Sequence, residues 1–249
     1  MWTRTIFVAA AVSLGVAAFA RQAQVVEYQK LKSGAAWYHE VSVDLRSERV
    51  QPGVVYSGKL ESPVDLTREE QPLVAITGTF FNTWSAYPVG DVVVDGIQEA
   101  QGWRGSIIGV DWYGEVEIVD TPFMQPIDLS NYRFALRGAV RLIRNGVVAP
   151  DPKGQKFRDP AIWGRATRCG VGTTADGRLV FYSTSQKVTL SELGKAMHAS
   201  GCTNAVSMDG GSSTCLMVRG EIKIRPARKL SNMFVVYDRS PFLLPGDNR

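Results

Sequence analysis

The chain has 249 residues, of which 45% are hydrophobic and 21% charged, and its formal net charge is +4. No linker, charge block, low-complexity tract or fixed-period repeat divides it, so we predict one compact domain. The mild positive charge does not indicate a nucleic-acid partner. Three cysteines (Cys169, Cys202 and Cys215) are too few for a disulfide scaffold, and the sequence leaves open whether one pair is oxidised.

The first twenty residues predict a secretory signal peptide. Arg4 precedes an apolar run over residues 6–19 that is short and rich in alanine, and Ala18-Phe19-Ala20 has the small-x-small form of a cleavage site. An uncleaved membrane anchor is the alternative. We therefore expect residues 1–20 to be removed and residues 21–249 to form an exported domain, periplasmic or extracellular, with no membrane span in its mature form.

Short strands separated by turn signals dominate the rest of the chain. Apolar strand patterns, some of which run into a turn signal, occupy residues 41–45, 92–96, 142–148 and 179–183. Asp95-Gly96, Asn145-Gly146 and Asp176-Gly177 predict hairpins, because both central residues of a type I′ turn need positive φ. The pattern predicts an α+β fold, in which a single strand-rich domain combines mixed, twisted β-sheets with a few helices.

One helix has a complete set of boundary signals. Thr189 and Glu192 have capping-box spacing, Gly201 supplies a left-handed stop, and one face carries Leu190, Leu193 and Met197. The helix leads into an apolar strand over residues 202–208. A shorter helix is predicted near residues 65–70, with Ser62 or Thr67 as its N-cap.

The motif at residues 208–214 reads Met-Asp-Gly-Gly-Ser-Ser-Thr and is the strongest candidate site. It places the Asp209 carboxylate at the end of the strand. The amides of Gly210 and Gly211, together with the hydroxyls of Ser212 and Ser213, can form a concave nest for an anion. Such a site suits a phosphorylated or polyhydroxylated substrate, whereas the alternative is an ordinary Asp-Gly-Gly hairpin turn.

Several segments resemble one known family. Residues 204–213, Asn-Ala-Val-Ser-Met-Asp-Gly-Gly-Ser-Ser, are similar to the Asn-Ala-Leu-x-Leu-Asp-Gly-Gly-x-Ser-Ser signature of the phosphodiester glycosidase domain family. Residues 165–172, Arg-Ala-Thr-Arg-Cys-Gly-Val-Gly, resemble its Arg-x-x-Arg-x-x-Ile/Val-Gly strand. Further matches are residues 88–90, residues 92–96, Gly138, Arg228 and Asn232. The resemblance covers about residues 40–237, in the family's order.

The resemblance implies a hydrolase that cleaves a glycosidic bond at a sugar-1-phosphodiester or a related envelope or extracellular glycan. Such cleavage develops positive charge on the sugar ring and negative charge on the departing phosphate. Asp209 and Arg168 suit these two catalytic roles, and Arg228 is a second candidate cation for substrate binding. The alternatives are a buried Arg168 paired with a structural acid and an Arg228 that is only a surface charge.

One segment departs from the family pattern. Where the family tends to have Asn-Gly-Gly-Phe-Phe, residues 77–81 read Thr-Gly-Thr-Phe-Phe, followed by Asn82. The resemblance makes Thr77, Gly78, Thr79 and Asn82 candidates for substrate binding, with Asn232 from the last matched segment. The same departure favours an alternative function, a non-catalytic exported glycan-binding or surface-assembly module.

Other residue types offer weaker chemistry. The acids in family-like segments are better explained as structural, with Asp91 expected to be exposed: Asp44, Asp91 and Asp95. Aromatic residues beside matched segments could stack on a sugar or pack in the core: Trp84, Tyr87 and Trp163. A serine nucleophile would lack a base, because neither His39 nor His198 is suitably placed. No cofactor is predicted, although a calcium or magnesium site at Asp209 stays open.

Overall fold

The protein is built mainly from short strands, as the turn spacing predicts. The computed structural model describes residues 25–239 and assigns them sixteen strands, β1 to β16. In chain order these are Val26–Ser33, Ala36–Asp44, Val50–Glu61, Val74–Thr77, Val92–Val94, Ile97–Ala100, Ser106–Asp111, Val116–Val119, Tyr132–Arg144, Val147–Val148, Ala166–Thr174, Arg178–Val188, Cys202–Ser207, Leu216–Val218, Glu221–Ile224 and Leu230–Asp238. The predicted signal peptide lies outside the described residues.

Three α-helices and one 3-10 turn complete the fold within the described residues. The helices are α1 (Pro63–Leu66), α2 (Pro160–Trp163) and α3 (Leu190–Ala199), and the 3-10 turn is Gly211–Ser213. None of the helices in residues 25–239 is long and apolar enough to span a bilayer. The strand-rich α+β fold predicted from the sequence is therefore confirmed.

The strands form two sheets. The larger has the order β1-β2-β12-β11-β13-β9-β5-β6, with β10 and β7 also paired to β9 and β8 paired to β7. The smaller has the order β15-β14-β4-β16-β3. Every strand pair in the described residues is antiparallel. The expectation of mixed sheets, with both parallel and antiparallel pairs, is therefore wrong.

The apolar core lies between the two sheets and on their outer faces. Between them, Phe181 of β12 packs on Phe234 of β16 with ring centroids 6.1 Å apart. The outer face of the larger sheet is covered by α3, whose Leu193 and Met197 are fully buried. Leu66 of α1 joins the cluster on the outer face of the smaller sheet. The result is a layered fold in which both sheets bury both faces.

The helix signals are confirmed with one adjustment in length. Thr189 caps α3 and forms the full capping box with Glu192, and the helix ends at the residues before Gly201, whose φ is +88°. The shorter helix is capped by Ser62, but it ends at Leu66 and is only one turn long. Thr67 instead stands at its C-terminal end, with its hydroxyl bonded to the Pro63 carbonyl.

Two of the three hairpin turns have the predicted backbone. Asp95 and Gly96 both have positive φ, as do Asn145 and Gly146. In the turn between β11 and β12 only Gly177 does, at +81°, because a three-residue connection replaces the type I′ turn. The Thr174 hydroxyl accepts from the Arg178 amide and closes this longer loop.

Asp91 is a buried structural acid, so the prediction that it is exposed is wrong. Its carboxylate lies 3.2 Å from the Arg137 guanidinium and also accepts from Gln98 and from the Gly102 amide. Both charged side chains are almost completely buried. Because Arg137 is 46 residues away in the chain, no local pattern could reveal the pairing.

The candidate motif carries the chain from one sheet to the other. It leaves β13 in the larger sheet, passes through the 3-10 turn, and enters β14 in the smaller sheet. The alternative of a simple hairpin turn is therefore wrong. The Asp209 amide donates to the carbonyl of Gly78, which follows β4 of the smaller sheet. This contact joins the two sheets beneath the candidate site.

The three cysteines are buried thiols. Cys169, Cys202 and Cys215 are each free, in agreement with the absence of a disulfide scaffold. Burial raises the pKa of the Cys202 and Cys215 thiols to about 12 and that of Cys169 further still. They pack as small apolar side chains and are poor nucleophiles at neutral pH.

Candidate functional site

A cavity of about 280 Å³ opens where the motif, β11 and α2 meet. Its wall is formed by residues of four segments: Phe80 and Phe81, residues 159–168, residues 209–213 and Arg228. Of the residues predicted from the sequence, Asp209, Arg168, Gly210, Gly211, Ser212, Ser213 and Arg228 line it. The structure thus brings together the motif and both candidate cations.

Asp209 is held in place by its own backbone. Its amide donates to the Gly78 carbonyl at 3.0 Å, and its carbonyl accepts from the Cys169 thiol at 3.1 Å. The preceding residue, Met208, donates its amide to the Cys169 carbonyl. With the main chain fixed on both sides, the carboxylate has a defined position at the cavity wall.

The surroundings of Asp209 favour its neutral form. Burial raises the pKa of its carboxyl from 3.8 to about 7, against the opposing effects of a Ser213 hydrogen bond, the Arg228 and Arg168 charges and the Gly210 amide. A carboxyl group with a pKa near neutrality can both accept and release a proton at physiological pH. This property separates Asp209 from the surface acids of the described residues.

Arg168 binds the segment that contains α2. Its Nη2 donates to the carbonyls of Ala161, Ile162 and Gly164 at 2.7–2.9 Å. Its Nε is buried without a hydrogen-bond partner, and burial lowers its pKa. Among residues 25–239 it forms no ion pair with an acid, so the alternative of a structural acid partner does not apply. The guanidinium therefore helps to shape the cavity wall while carrying an unneutralised charge into it.

Arg228 contacts the motif from the connection between β15 and β16. Its Nη2 donates to the Ser212 hydroxyl, and the amide of neighbouring Ala227 donates to the Ser212 carbonyl at 2.8 Å. The side chain is otherwise exposed. It is therefore a solvent-facing cation that is already oriented toward the cavity, in contrast to the buried Arg168.

The glycines and hydroxyls of the motif form a tight turn. Gly211 has a φ of +60° and is exposed, and its carbonyl accepts from the Thr167 hydroxyl at 2.7 Å. The amides of Ser213 and Thr214 bond back to Gly210 and Gly211. Ser213 is buried and hydrogen-bonds to the Asp209 carboxyl. The accessible polar surface of the turn is therefore the side that carries Ser212, next to Arg228.

Thr77, Thr79 and Asn232 lie beneath the cavity and do not line it. The Thr77 hydroxyl donates to the Ser213 carbonyl and accepts from the Cys215 amide. The Thr79 amide donates to Asn232 Oδ1 at 2.7 Å, and its hydroxyl donates to the Arg137 carbonyl. All three side chains are buried. Their hydrogen bonds support the motif from below.

Gly78 belongs to the same buried support. A Cβ built there would lie 2.0 Å from Asn232 Oδ1, so any side chain would displace the asparagine from Thr79. Asn82, by contrast, is exposed, and its side-chain oxygen accepts from the Trp84 and Ser85 amides in a surface loop. Neither residue contributes to the wall of the cavity.

The candidate aromatic residues separate into two places. Trp84 is 95% exposed and Tyr87 is 48% exposed, both on the loop that Asn82 organises. Trp163 lies at the end of α2, in a second cleft. None of the three lines the cavity that contains Asp209.

Asp159 lines the cavity, and sequence reasoning missed it. It is the N-cap of α2, and its Oδ1 accepts from the Ala161 amide at 2.8 Å. An Asp-Pro pair is a known helix-start signal, but in a one-turn helix it is easily overlooked. It supplies a second carboxylate at the mouth of the site.

Neither histidine reaches the site. His39 bonds to the Tyr28 hydroxyl at 2.8 Å on β2, and His198 lies in the last turn of α3. Ser212 and Ser213 therefore have no histidine base beside them in the cavity. Within residues 25–239, no three histidine, cysteine or acidic side chains cluster in a way that could hold a metal ion.

Comparison with known protein families identifies the fold and its relatives. The model of the phosphodiester glycosidase family matches residues 70–237. The chain belongs to this family. The match includes every segment that lines the cavity, from Phe80 to Arg228.

Several solved structures share the architecture at low sequence identity. The catalytic domain of zebrafish N-acetylglucosamine-1-phosphodiester alpha-N-acetylglucosaminidase, auto-inhibited by its pro-peptide, is 18% identical with a TM-score of 0.70, over 88% of this chain and 85% of that chain. A hypothetical protein from Synechocystis is 14% identical with a TM-score of 0.66, over 86% and 62%. A Burkholderia pseudomallei protein described as exported is 14% identical with a TM-score of 0.54, over 81% and 74%. No curated protein matches the chain.

Proposed function

We propose that this phosphodiester glycosidase relative hydrolyses the bond between a sugar and phosphate in a sugar-1-phosphodiester. The observation that carries the proposal is the cavity itself, where a carboxyl group with a pKa near 7 lies beside two arginines that form no ion pair with an acid of residues 25–239. That combination matches a reaction that generates opposite charges on its two products. Family membership supports the same reaction class.

In the proposed reaction a water molecule attacks the anomeric carbon. The new bond joins the water oxygen to that carbon, and the bond from the carbon to the phosphate oxygen breaks. Asp209 takes the proton of the water, and the phosphate departs with the bonding electron pair as a phosphomonoester. Before the proton transfer, the ionised Asp209 also stabilises the positive charge that develops on the ring.

The two arginines have different roles: Arg228 binds the phosphate, whereas Arg168 shapes the cavity wall and stabilises the oxygen that departs from the sugar, whichever leaving group carries it. Arg228 is exposed, and its hydrogen bond to Ser212 already directs it toward the cavity. It can therefore contact an incoming phosphate without first leaving a buried environment. Arg168 is buried, and its charge acts on the departing oxygen from the cavity wall. Both charges favour the ionised form of Asp209, so a dianionic product and an ionised carboxylate compete for the same cations.

Asp159 is proposed to bind the sugar. Its carboxylate caps α2 through one oxygen, which leaves the other oxygen for a sugar hydroxyl at the cavity mouth. A phosphate is a good leaving group and does not require a general acid, so this second carboxylate is assigned to binding. Its role is therefore separable from that of Asp209 in kinetic measurements.

The decisive experiment is hydrolysis in ¹⁸O-labelled water. Purified protein is incubated with the methyl phosphodiester of N-acetylglucosamine 1-phosphate, in both anomers, with the Asp209→Asn variant as the control. The proposal expects the label in the released sugar. Label in the phosphate would identify cleavage of a phosphorus–oxygen bond and would overturn the glycosidase assignment.

A chain that binds the sugar-1-phosphodiester without releasing any product would instead support a non-catalytic glycan-binding module. The structure gives that alternative little support, because the unusual Thr77 and Thr79 hydroxyls are occupied by main-chain groups beneath the cavity.

We further propose that the protein acts outside the cytoplasm. Amino-terminal sequencing of the mature protein should begin at Arg21.

A further inference from the structure

A second cleft, of about 360 Å³, lies on the other side of α2 from the Asp209 cavity. Its lining combines three cationic and three aromatic side chains: Lys153, Lys156, Arg158, Phe123, Phe157 and Trp163. The proposed reaction does not use any of these residues. We refer to this group of six as the basic-aromatic cleft.

The cations of the basic-aromatic cleft are not neutralised by acids. Neither Lys153, Lys156, Arg158 nor the adjoining Arg104 forms an ion pair with a carboxylate of residues 25–239. Lys153 places its ammonium group 4.5 Å from the centre of the Trp163 ring. Concentrated positive charge without acidic partners favours an anionic ligand.

Two of the three aromatic rings of this cleft, those of Trp163 and Phe123, are partly exposed, whereas Phe157 is buried. The Trp163 indole donates to the Phe157 carbonyl at 3.1 Å and keeps 37% of its surface exposed. Phe123 is 38% exposed beneath the Arg104 guanidinium, which lies 5.6 Å from its ring and donates to the Lys156 carbonyl. Rigid rings beside cations suit a ligand with both apolar carbohydrate faces and phosphates.

The cleft and the cavity share one wall. Asp159, Ala161 and Ile162 face the cavity, whereas Arg158 and Trp163 line the cleft. The wall is a single helical turn, so it is about 6 Å long. A ligand held in both places has to pass over only this one helix, which is on the order of 10 Å wide with its side chains.

We propose that the basic-aromatic cleft binds the next phosphate-bearing unit of an extended phosphorylated glycan, whose scissile phosphodiester lies in the Asp209 cavity. This inference rests on the proposed function, because it assumes that the unit in the Asp209 cavity is a sugar-1-phosphodiester. It assigns the substrate class, a phosphodiester-linked oligosaccharide with at least two phosphates. A small sugar-1-phosphodiester would occupy only the cavity.

The test compares binding of a trimer with binding of its single unit. Isothermal titration calorimetry is carried out on the Asp209→Asn protein, in which turnover is slowed by on the order of a hundredfold or more. The two ligands are a synthetic N-acetylglucosamine trimer linked through 1-phosphodiesters and the single methyl phosphodiester. The trimer should bind at least about tenfold more tightly, the scale of one charge-assisted contact. Adding Lys153→Gln and Arg158→Gln should reduce that preference to less than threefold, with binding of the single unit unchanged.

A matched control removes the same charge elsewhere. Lys187→Gln with Lys195→Gln deletes two exposed cations beside β12 and α3, away from both sites. This control should keep the full preference for the trimer, and equal loss in both double variants would overturn the proposal by indicating a non-specific charge effect. Thermal unfolding of each variant establishes that the fold is retained.

Two further ligands distinguish other sources of anionic groups. Inorganic tripolyphosphate that displaces the trimer with equal affinity would overturn the glycan assignment and indicate a polyanion site. Sedimentation with phosphatidylglycerol vesicles that depends on Lys153 and Arg158, without competition by the trimer, would indicate a membrane contact instead. Because binding is measured without turnover, a failure of the hydrolysis experiment leaves this test interpretable.

Discussion

Asp209 combines a rigid main chain with an unusual proton affinity. Its backbone is fixed by Gly78 and Cys169, and burial raises the pKa of its carboxyl to about 7. Asp209→Asn keeps the shape and removes the charge, so turnover of a sugar-1-phosphodiester should fall by on the order of a hundredfold or more. The measurement is kcat/KM with circular dichroism of the same preparation, and wild-type turnover in the folded variant would contradict the catalytic role.

The raised pKa of Asp209 also makes stability depend on pH. Its carboxyl binds a proton more tightly in the folded state than at the ordinary pKa of 3.8. The stability it contributes is therefore fully present below about pH 4 and is lost as the pH rises through about 7. The free energy of unfolding of Asp209→Asn, compared with that of the wild type, should therefore increase by on the order of 2–4 kcal/mol when the pH is raised from 5 to 8. Urea unfolding of both proteins at pH 5 and at pH 8 measures this change. The same difference in unfolding free energy between variant and wild type at the two pH values would refute the prediction.

Arg168 and Arg228 should respond differently to lysine. Arg168 uses its terminal Nη2 to hold three carbonyls of the α2 segment, and a lysine ammonium, which is one bond nearer to the backbone, does not reach the same position, whereas Arg228 contacts only Ser212. We expect Arg168→Lys to lose stability and to lose activity equally on a phosphodiester and on a nitrophenyl glycoside. Arg228→Lys should lose activity, by roughly 1.5–3 kcal/mol in transition-state stabilisation, only on the phosphodiester. Parallel kinetics on both substrates would distinguish the two, and a phosphodiester-selective loss at Arg168 would contradict this assignment.

At this scale the sequence could place residues but not orient them. The motif predicted that Asp209 ends a strand, and the glycines predicted a turn beside it. Nothing local indicated that Thr77 and Thr79 point into the support beneath the cavity, because their partners are 58 or more residues away. The burial of Asp91 is hidden from local patterns for the same reason, because its partner Arg137 lies on β9, 46 residues away in the chain.

The one-turn helix α2 has two roles that a pair of substitutions can separate. Asp159→Asn keeps an N-cap and removes the charge, whereas Asp159→Ala removes both. We expect both variants to raise KM for the sugar phosphodiester with kcat little changed, and only the alanine variant to lose about 0.5–1 kcal/mol of stability.

The control for Asp159 lies in the other one-turn helix. Ser62 caps α1 through the Asp65 amide, and neither residue lines the cavity. Ser62→Ala should reduce stability by a similar amount and leave KM unchanged. A raised KM in this variant would mean that loss of a cap, and not of the carboxylate, explains the result for Asp159.

Elements with strong local signals were predictable, and their arrangement was not. The capping box located α3, and two Asx-Gly pairs located hairpins, because these signals operate within a few residues. The order of strands depends on distant pairs, such as β13 beside β9, and the direction of pairing followed from that order. The expectation of mixed sheets was therefore wrong, because only tertiary contacts determine the order and the direction of the strands.

For the whole molecule, the family resemblance gave the architecture that the local patterns lacked. The family match over residues 70–237 and the shared fold of the solved relatives both cover the strands that form the cavity. The family match and the shared fold do not by themselves assign a role to Asp159 or to the basic-aromatic cleft. Both follow from side chains on α2 and its approach, residues 153–163.

The crossing of the motif between the sheets has a consequence for hydrogen exchange. The amide proton of Asp209 is bonded to Gly78 across the junction, so solvent deuterium can reach it only when the two sheets separate. We expect it to exchange with the slowest amides of the protein, with an opening free energy equal to that of global unfolding, while exposed Gly211 two residues later exchanges fast. NMR-detected exchange can measure both. A slow Asp209 amide would mean that the floor of the cavity persists for as long as the molecule is folded, and that substrate entry and product release involve only the rim.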